Sequence, residues 1–151
     1  MQRALVVVEP TDGSKTLVEE AGKLASGVGA ELVLLHVTTV EEWESNREQL
    51  SNITDFENQY GIEQTRQGAR QFAENVGHDV LDGMNVDVST VGAIGDRKDQ
   101  ILKTAEQEAC DHVFMSGKKR SPTGKAVFGD VTQSVILNFS GIVSVITTED
   151  R

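Results

Sequence analysis

The segment Asp111–Thr148 reads DHVFMSGKKRSPTGKAVFGDVTQSVILNFSGIVSVITT, and its pattern predicts a strand, a loop, a helix and a second strand. The strands are predicted at His112 to Met115 and Ile142 to Ile146, the helix at Asp130 to Asn138, and the glycine-bearing loop at Ser116 to Lys125. A strand that leads through such a loop to a helix amino end presents backbone N–H groups and partial positive charge. The segment is therefore predicted to hold phosphate.

The loop of this segment is basic although the chain as a whole is acidic. Four of the 14 basic residues, Lys118, Lys119, Arg120 and Lys125, fall within eight consecutive positions. The cluster is consistent with an anion clamp. It is also consistent with a solvated charged turn that balances an acidic surface.

Upstream of this segment, short apolar runs alternate with helical patterns. Strands are predicted at Ala4 to Val8, Leu32 to Val37 and Val86 to Val91, and only the last alternates apolar with polar residues, as at a sheet edge. Right-handed crossovers between such strands give a doubly wound parallel sheet. Helices are predicted at Thr16 to Val28, Glu63 to Leu81 and Lys98 to Ala109. Residues 38–62 are less regular, and both a short helix near Glu41 to Arg47 and a mobile cover over the sheet edge are consistent with them.

Ligands of doubly wound sheets bind at the carboxyl ends of the strands, where the strand order reverses. This rule brings the turn Pro10 to Ser14, the strand end at Val37 and Thr38, and the loop Ser116 to Lys125 around one crevice. Thr11, Asp12 or Ser14 is expected to cap the helix that follows the first turn.

Composition limits the classes of function. The 151 residues suit one domain, predicted to span 1–151, and 24 acidic against 14 basic residues give a net charge of −10. Such a surface repels nucleic acid and anionic membranes. The acid excess also favours a salt-loving source over an ordinary acidic cytosolic protein. Neither a signal peptide nor a membrane-spanning run is recognised, so a cytoplasmic location without membrane insertion is expected.

No enzyme motif is found. The Walker A, dinucleotide-binding and nucleophile-elbow patterns are all missing, and His36, His78 and His112 lack metal-ligand spacing. His36 and His112 are interpreted as satisfied core or strand-end histidines. The single Cys110 excludes an intrachain disulfide and is expected to be an inert, partly buried thiol. At most, slow hydrolysis of a bound nucleotide is expected.

Several stretches resemble the universal stress protein family over essentially the whole chain. They are VVVEPTDGSKT (6–16), ELVLLHV (31–37), VGAIGDRKDQILKTAEQEACDHVFMSG (91–117) and GIVSVI (141–146). The resemblance implies a three-layer α/β fold of the adenine nucleotide alpha-hydrolase type with strand order 3-2-1-4-5. It also implies a homodimer that pairs through the last strand, Ile142 to Ile146.

Family members that bind ATP carry G-x-x-G, nine residues, then G-[S/T] after the fourth strand. Gly117 matches the first glycine and Gly129 the third, whereas Arg120 stands at the second glycine and Asp130 at the hydroxyl residue. The interval between the second and third glycine positions is one residue short. These departures indicate a divergent ATP-loop subgroup, which the acidic composition associates with a halophilic archaeon.

Each departure has a physical consequence. Arg120 brings a Cβ where glycine allows close approach of the backbone to phosphate. Asp130 stabilises a helix amino end by roughly 0.3–1 kcal/mol. In partly buried surroundings it would repel a phosphate ~4 Å away by several kcal/mol. A divalent cation between the two would reverse that sign.

The resemblance, carried over residue by residue, gives a predicted nucleotide site. Asp12 matches the acid on the adenine or ribose side, with a helix cap as the alternative role; Val37 matches the apolar contact to the base, with plain core as the alternative. The predicted site comprises Pro10, Thr11, Asp12, Val37, Ser116, Gly117, Lys119, Arg120, Gly129, Asp130, Val131 and Thr132, and the predicted anion clamp comprises Lys118, Lys119, Arg120 and Lys125.

The sequence and the resemblance are consistent with two alternative functions. The chain is either a stress-response or signalling module that binds ATP, AMP or another phosphate anion, with Mg²⁺ if ATP, or a dimeric regulatory protein that keeps the fold without a nucleotide. The second would act on a protein partner such as a transporter.

Overall fold

Five parallel strands form one sheet in the computed structural model, which describes residues 1–49, 55–119 and 128–149. In chain order they are β1 (Arg3–Val7), β2 (Glu31–Thr38), β3 (Val88–Ile94), β4 (His112–Lys119) and β5 (Ile142–Glu149). Their order across the sheet is β3-β2-β1-β4-β5, and each neighbouring pair is parallel. The predicted doubly wound fold is confirmed.

Helices cover both faces of the sheet. They are α1 (Asp12–Val28), α2 (Val40–Gln49), α3 (Asp55–Leu81), α4 (Arg97–Gln107) and α5 (Asp130–Asn138). Alternate residues of β1 point to opposite faces, so that Ala4 and Val6 pack with α1 and α3, and Leu5 and Val7 pack with α4 and α5. The result is the predicted three-layer arrangement.

All five strands differ from their predicted bounds, β1 and β2 by one residue at each end and β3, β4 and β5 by more, and β5 ends at Glu149 instead of Ile146. β4 does not end at Met115 but continues to Lys119, because it pairs in register with β5 as far as Glu149. The first part of the predicted basic loop is therefore strand. β3 is shifted toward the carboxyl end of its prediction and includes Gly92, which lies beyond the predicted strand end at Val91.

The helices agree with their predicted bounds to different degrees, and α1 begins at Asp12, four residues before the predicted Thr16. α5 begins and ends where predicted, and of the two alternatives for residues 38–62 the short helix near Glu41 to Arg47 is present as α2. α3 begins eight residues before the predicted Glu63. The cap of α1 is Thr11, whose side chain accepts a hydrogen bond from the Ser14 N–H, so Asp12 is not the capping residue.

The sheet has two uncovered edges, β3 and β5. This confirms the predicted edge position of the third strand. Within the described residues, no helix is long and apolar enough to cross a membrane.

Candidate functional site

The strand order reverses between β1 and β4, which are neighbours in the sheet. The chain leaves β1 toward α1 on one face and leaves β4 toward α5 on the other face. A crevice therefore forms at the carboxyl ends of these two strands. Two concavities lie beside this point, and they meet at Glu9.

The first concavity is a cavity of about 60 Å³ between the ends of β1 and β4 and the starts of α4 and α5. A water needs roughly 10–15 Å³ of such volume, so the cavity has room for a few waters or one tetrahedral anion, but not for a nucleoside. It is lined by Val7, Glu9, Arg97, Ile101, Met115, Ser116, Val131 and Thr132.

Ser116 gives this cavity a polar group that is not satisfied by the protein. Its Oγ is shielded from solvent and has no hydrogen-bond partner among the described residues. Since a buried hydroxyl without a partner costs free energy, an oxygen-rich ligand that accepts a hydrogen bond from this hydroxyl would be stabilised. The Ser116 hydroxyl therefore fits a phosphate oxygen.

Arg97 places a cation at the cavity and is paired with carboxylates from two other elements. Its Nη1 lies 3.7 Å from Oε1 of Glu9, and its Nη2 lies 3.3 Å from Oε1 of Glu42. These three residues were missed by the sequence analysis. Their positions in the chain are far apart, and they belong to no motif that a single sequence reveals.

The second concavity is a groove of about 450 Å³ on the other side of the turn between β1 and α1. It contains three predicted site residues, Pro10, Thr11 and Asp12, all of them exposed. Phe72 and Val76 of α3 form the apolar wall, and neither was predicted as a site residue. Glu9 and Lys15 complete the lining.

Hydrogen bonds hold this turn in one conformation. The N–H of Glu9 donates to Oγ of Ser14 over 2.7 Å, and Ser14 is only 1% exposed. On the other side, Phe72 contacts the ring of His36, whose Nδ1 lies 2.7 Å from the carbonyl oxygen of Val8. The predicted partner for His36 is thus present, and the groove wall is tied to β1.

The remaining predicted site residues occupy different places. Val37 is 3% exposed and packs in the core between the sheet and α4, outside both concavities. Gly117 lies in β4, where an added Cβ would come within 2.9 Å of Val145 Cγ1 and 3.0 Å of Phe128 Cδ1. Close packing thus explains the glycine at this position. Gly129 is the N-cap residue of α5, without a side-chain capping bond.

Asp130 is the first residue of α5 and is exposed to solvent. At 4 Å, two unit charges repel by about 1 kcal/mol in water, against several in a partly buried site. The penalty that Asp130 imposes on a phosphate is therefore smaller than the sequence analysis supposed. Beyond it, Val131 and the nearly buried Thr132 line the cavity.

Most of the predicted anion clamp lies outside the described residues. Lys118 and Lys119 contribute their backbone to β4, but their side chains are not described, and Arg120 and Lys125 fall in the undescribed interval. The clamp therefore remains a sequence-based prediction.

Residues that could support other chemistry are few in the described part of the chain. No group of three or more His, Cys, Asp or Glu side chains there could hold a metal ion. Burial raises the pKa of the half-buried Cys110 thiol to about 11, so the reactive thiolate is scarce at neutral pH. This agrees with the predicted inert thiol.

The sequence of the chain matches a known family over nearly its whole length. Residues 1–146 match the model of the universal stress protein family. The chain belongs to this family. No curated protein matches the chain.

Several solved structures share the fold of this universal stress protein. A hypothetical protein, solved as a test case of structural genomics, is 22% identical with a TM-score of 0.73, over 99% of this chain and 98% of that chain. A universal stress protein in complex with cAMP is 13% identical, with a TM-score of 0.62 and coverage of 97% and 96%. The universal stress protein from Archaeoglobus fulgidus in complex with dAMP is 14% identical, with a TM-score of 0.55 and coverage of 97% and 98%.

Proposed function

We propose that this universal stress protein binds an adenine nucleotide, or another anion that carries a phosphate group, at the crevice between β1 and β4. The observation that carries the proposal is the small, phosphate-sized cavity that is lined by Arg97 and by Ser116, a residue whose hydroxyl has no hydrogen-bond partner among the described residues. Relatives solved with cAMP and with dAMP support the choice of an adenine nucleotide.

The two concavities would hold different parts of such a ligand. The phosphate lies in the cavity against Ser116 and Thr132, and the nucleoside extends past Glu9 toward the groove at Asp12 and Phe72. ATP would bring Mg²⁺ as its counter-ion, whereas AMP needs none. The basic residues that follow Gly117 would add positive charge on the phosphate side.

We further propose a cytoplasmic, salt-adapted binding module of the divergent ATP-loop subgroup, from a halophilic archaeon. The acidic composition and the substituted glycine and hydroxyl positions of the loop support this placement. Signalling in the stress response would follow from the occupancy of the site.

The test is titration calorimetry of the purified protein with ATP, ADP and AMP, with and without Mg²⁺, at low and high salt. We expect saturable binding of at least one nucleotide at physiological concentration, with heats that disappear when Ser116 is replaced by a bulkier residue such as Leu. Binding of none of the three under any condition would contradict the proposal.

The alternative is a dimeric regulatory protein without a nucleotide, which acts on a protein such as a transporter. The observation in its favour is Asp130, a carboxylate at the helix start where ATP-binding relatives are expected to carry a hydroxyl. Because Asp130 is exposed, Asp130→Ser should tighten ATP binding by roughly fivefold, the equivalent of about 1 kcal/mol. Asp99→Ser, which removes an exposed acid from the first turn of α4, is the matched control. No change in ATP affinity in the Asp130 variant would remove this carboxylate as an obstacle.

A further inference from the structure

We infer that Arg97 is the residue that receives the phosphate group, and that Glu9 and Glu42 hold its guanidinium at the cavity until the phosphate enters. The inference rests on the proposed nucleotide binding and adds a specificity residue from α4, outside the loop after β4.

The position of Arg97 is fixed by the local structure of α4. Asp96 caps the helix, accepting a hydrogen bond from the Asp99 N–H over 3.3 Å, and Arg97 is the first helical residue. This start of α4 lies at the carboxyl edge of the sheet. Among the described residues that line the cavity, Arg97 is the one cationic side chain, and it shares that lining with Ser116 and Thr132.

Glu42 is itself held in place by a capping box at the start of α2. Its Oε2 accepts a hydrogen bond from the Thr39 N–H, and the Glu42 N–H donates to Thr39 Oγ1, each over 3.2 Å. This leaves Oε1 free to accept from Arg97 Nη2. Glu42 therefore anchors the guanidinium from outside the cavity, while Glu9 does so from its wall.

These ion pairs are weak enough for a phosphate to replace the carboxylates as the partner of the Arg97 guanidinium. The side chain of Arg97 is 34% exposed, and those of Glu9 and Glu42 are 34% and 48% exposed. Pairs exposed to this degree contribute little because water screens them. A phosphate offers the guanidinium two parallel charge-assisted hydrogen bonds, which are stronger.

The two carboxylates also make the site selective. One positive and two negative side chains give the cluster an excess of negative charge, which opposes every anion and a dianion more than a monovalent one, so only an anion with a strong contact to Arg97 can enter. A phosphate dianion compensates by making a bidentate contact that chloride cannot make. The expected ligand is therefore a phosphate monoester or inorganic phosphate, and the experiment distinguishes between these two.

Calorimetry with AMP, adenosine and inorganic phosphate tests the role of Arg97. We expect Arg97→Gln to weaken AMP binding by about tenfold or more, the size of a lost hydrogen bond to a charged group, and to leave adenosine binding unchanged. Arg97→Lys should fall between wild type and Arg97→Gln. Glu42→Gln keeps the capping box but removes the competing charge, so it should strengthen AMP binding by about threefold. If the wild type binds inorganic phosphate and Arg97→Gln does not, the phosphate group alone is sufficient for recognition. If the wild type binds AMP but not inorganic phosphate, recognition also requires the nucleoside.

The matched control is Lys98→Gln, which removes a positive charge from the same helical turn at a position that does not line the cavity. If Lys98→Gln and Arg97→Gln weaken AMP binding equally, a general charge effect replaces the proposed contact. If wild type binds AMP and Arg97→Gln binds it as tightly, the inference is wrong while the proposed function stands. If wild type binds no nucleotide and no phosphate, both are wrong.

Discussion

His112, at the amino end of β4, has one ring nitrogen with a partner and one without. Its Nε2 lies 2.7 Å from Ser144 Oγ on β5, whereas Nδ1 is shielded from solvent and has no hydrogen-bond partner among the described residues. The ring stacks on Phe114, with centroids 4.4 Å apart. The sequence analysis predicted a satisfied histidine, and this is right for only one nitrogen.

Burial lowers the pKa of His112, and this makes a prediction for stability. Since the unfolded chain takes up the proton first, near pH 6.5, the contribution of neutral His112 is present above that pH and is lost as the pH falls toward the lower folded pKa. His112→Gln should therefore reduce the loss of unfolding free energy between about pH 7 and pH 5. The slope removed is at most about 1.4 kcal/mol per pH unit. Urea unfolding at several pH values measures it.

His78→Gln serves as the comparison, because His78 is an exposed histidine on α3. We expect a smaller loss of unfolding free energy toward acid pH in His112→Gln than in His78→Gln. A His112→Gln profile parallel to that of the wild type would show that the buried ring does not carry this pH dependence.

The strand β3 extends beyond its predicted end, and the first residue past that end is Gly92. Its predicted end at Val91 was wrong because local pattern assigns Gly92 to a turn. In the fold, Gly92 pairs with His36, and the strand continues until Ile94 pairs with Thr38. The backbone of α3 lies close to Gly92 and leaves no room for a side chain, a contact between distant residues that the sequence pattern does not reveal.

Gly92→Ala should therefore be strongly destabilising. A Cβ at this position would collide with the carbonyl oxygen of Arg66 and lie 2.5 Å from the backbone nitrogen of Arg70, and backbone atoms yield less easily than a flexible side chain. We expect a loss of about 3 kcal/mol in unfolding free energy, at the upper end of overpacking costs. Chemical denaturation gives this value.

Gly68→Ala is the control within α3, because an added Cβ there meets nothing within 4 Å. Alanine in place of a helical glycine should stabilise the protein by about 0.5–1 kcal/mol. Equal effects of the two substitutions would mean that α3 and β3 do not pack as closely as described.

Across the whole molecule, the strands and helices that depend on sequence periodicity were predicted. Contacts between side chains that are distant in the sequence were not. Buried strands such as β1 and β2 are continuous apolar runs, and α5 has a clear start and end, so these were recognised. The strand order came from the family resemblance. The crevice and three residues of the cavity lining, Ser116, Val131 and Thr132, were predicted. The charged cluster of Glu9, Glu42 and Arg97 could not be foreseen, because these residues come from three separate segments and meet only after folding.

The unpaired edge of β5 is relevant to the oligomeric state of the protein. Near it, Leu137 is 81% exposed, Ile142 59% and Ile136 42%, and β5 leaves one side of its backbone unpaired by the sheet. An edge of this kind favours pairing with another strand, and the family resemblance implies a second copy. The net charge of −10 on each chain opposes that pairing, and salt screens this repulsion.

We therefore predict a homodimer through β5 that is tighter at high salt than at low salt. Ile142→Glu places an additional carboxylate from each chain at the shared edge and should give a monomer, with a dissociation constant raised at least about tenfold. Val88→Glu makes the same kind of change at the opposite edge, β3, where Val88 is 39% exposed, and should stay dimeric. Size-exclusion chromatography with light scattering, run at low and high salt, measures the mass of each variant. A wild type that is monomeric at every salt concentration, or dissociation caused equally by both substitutions, would contradict pairing through β5.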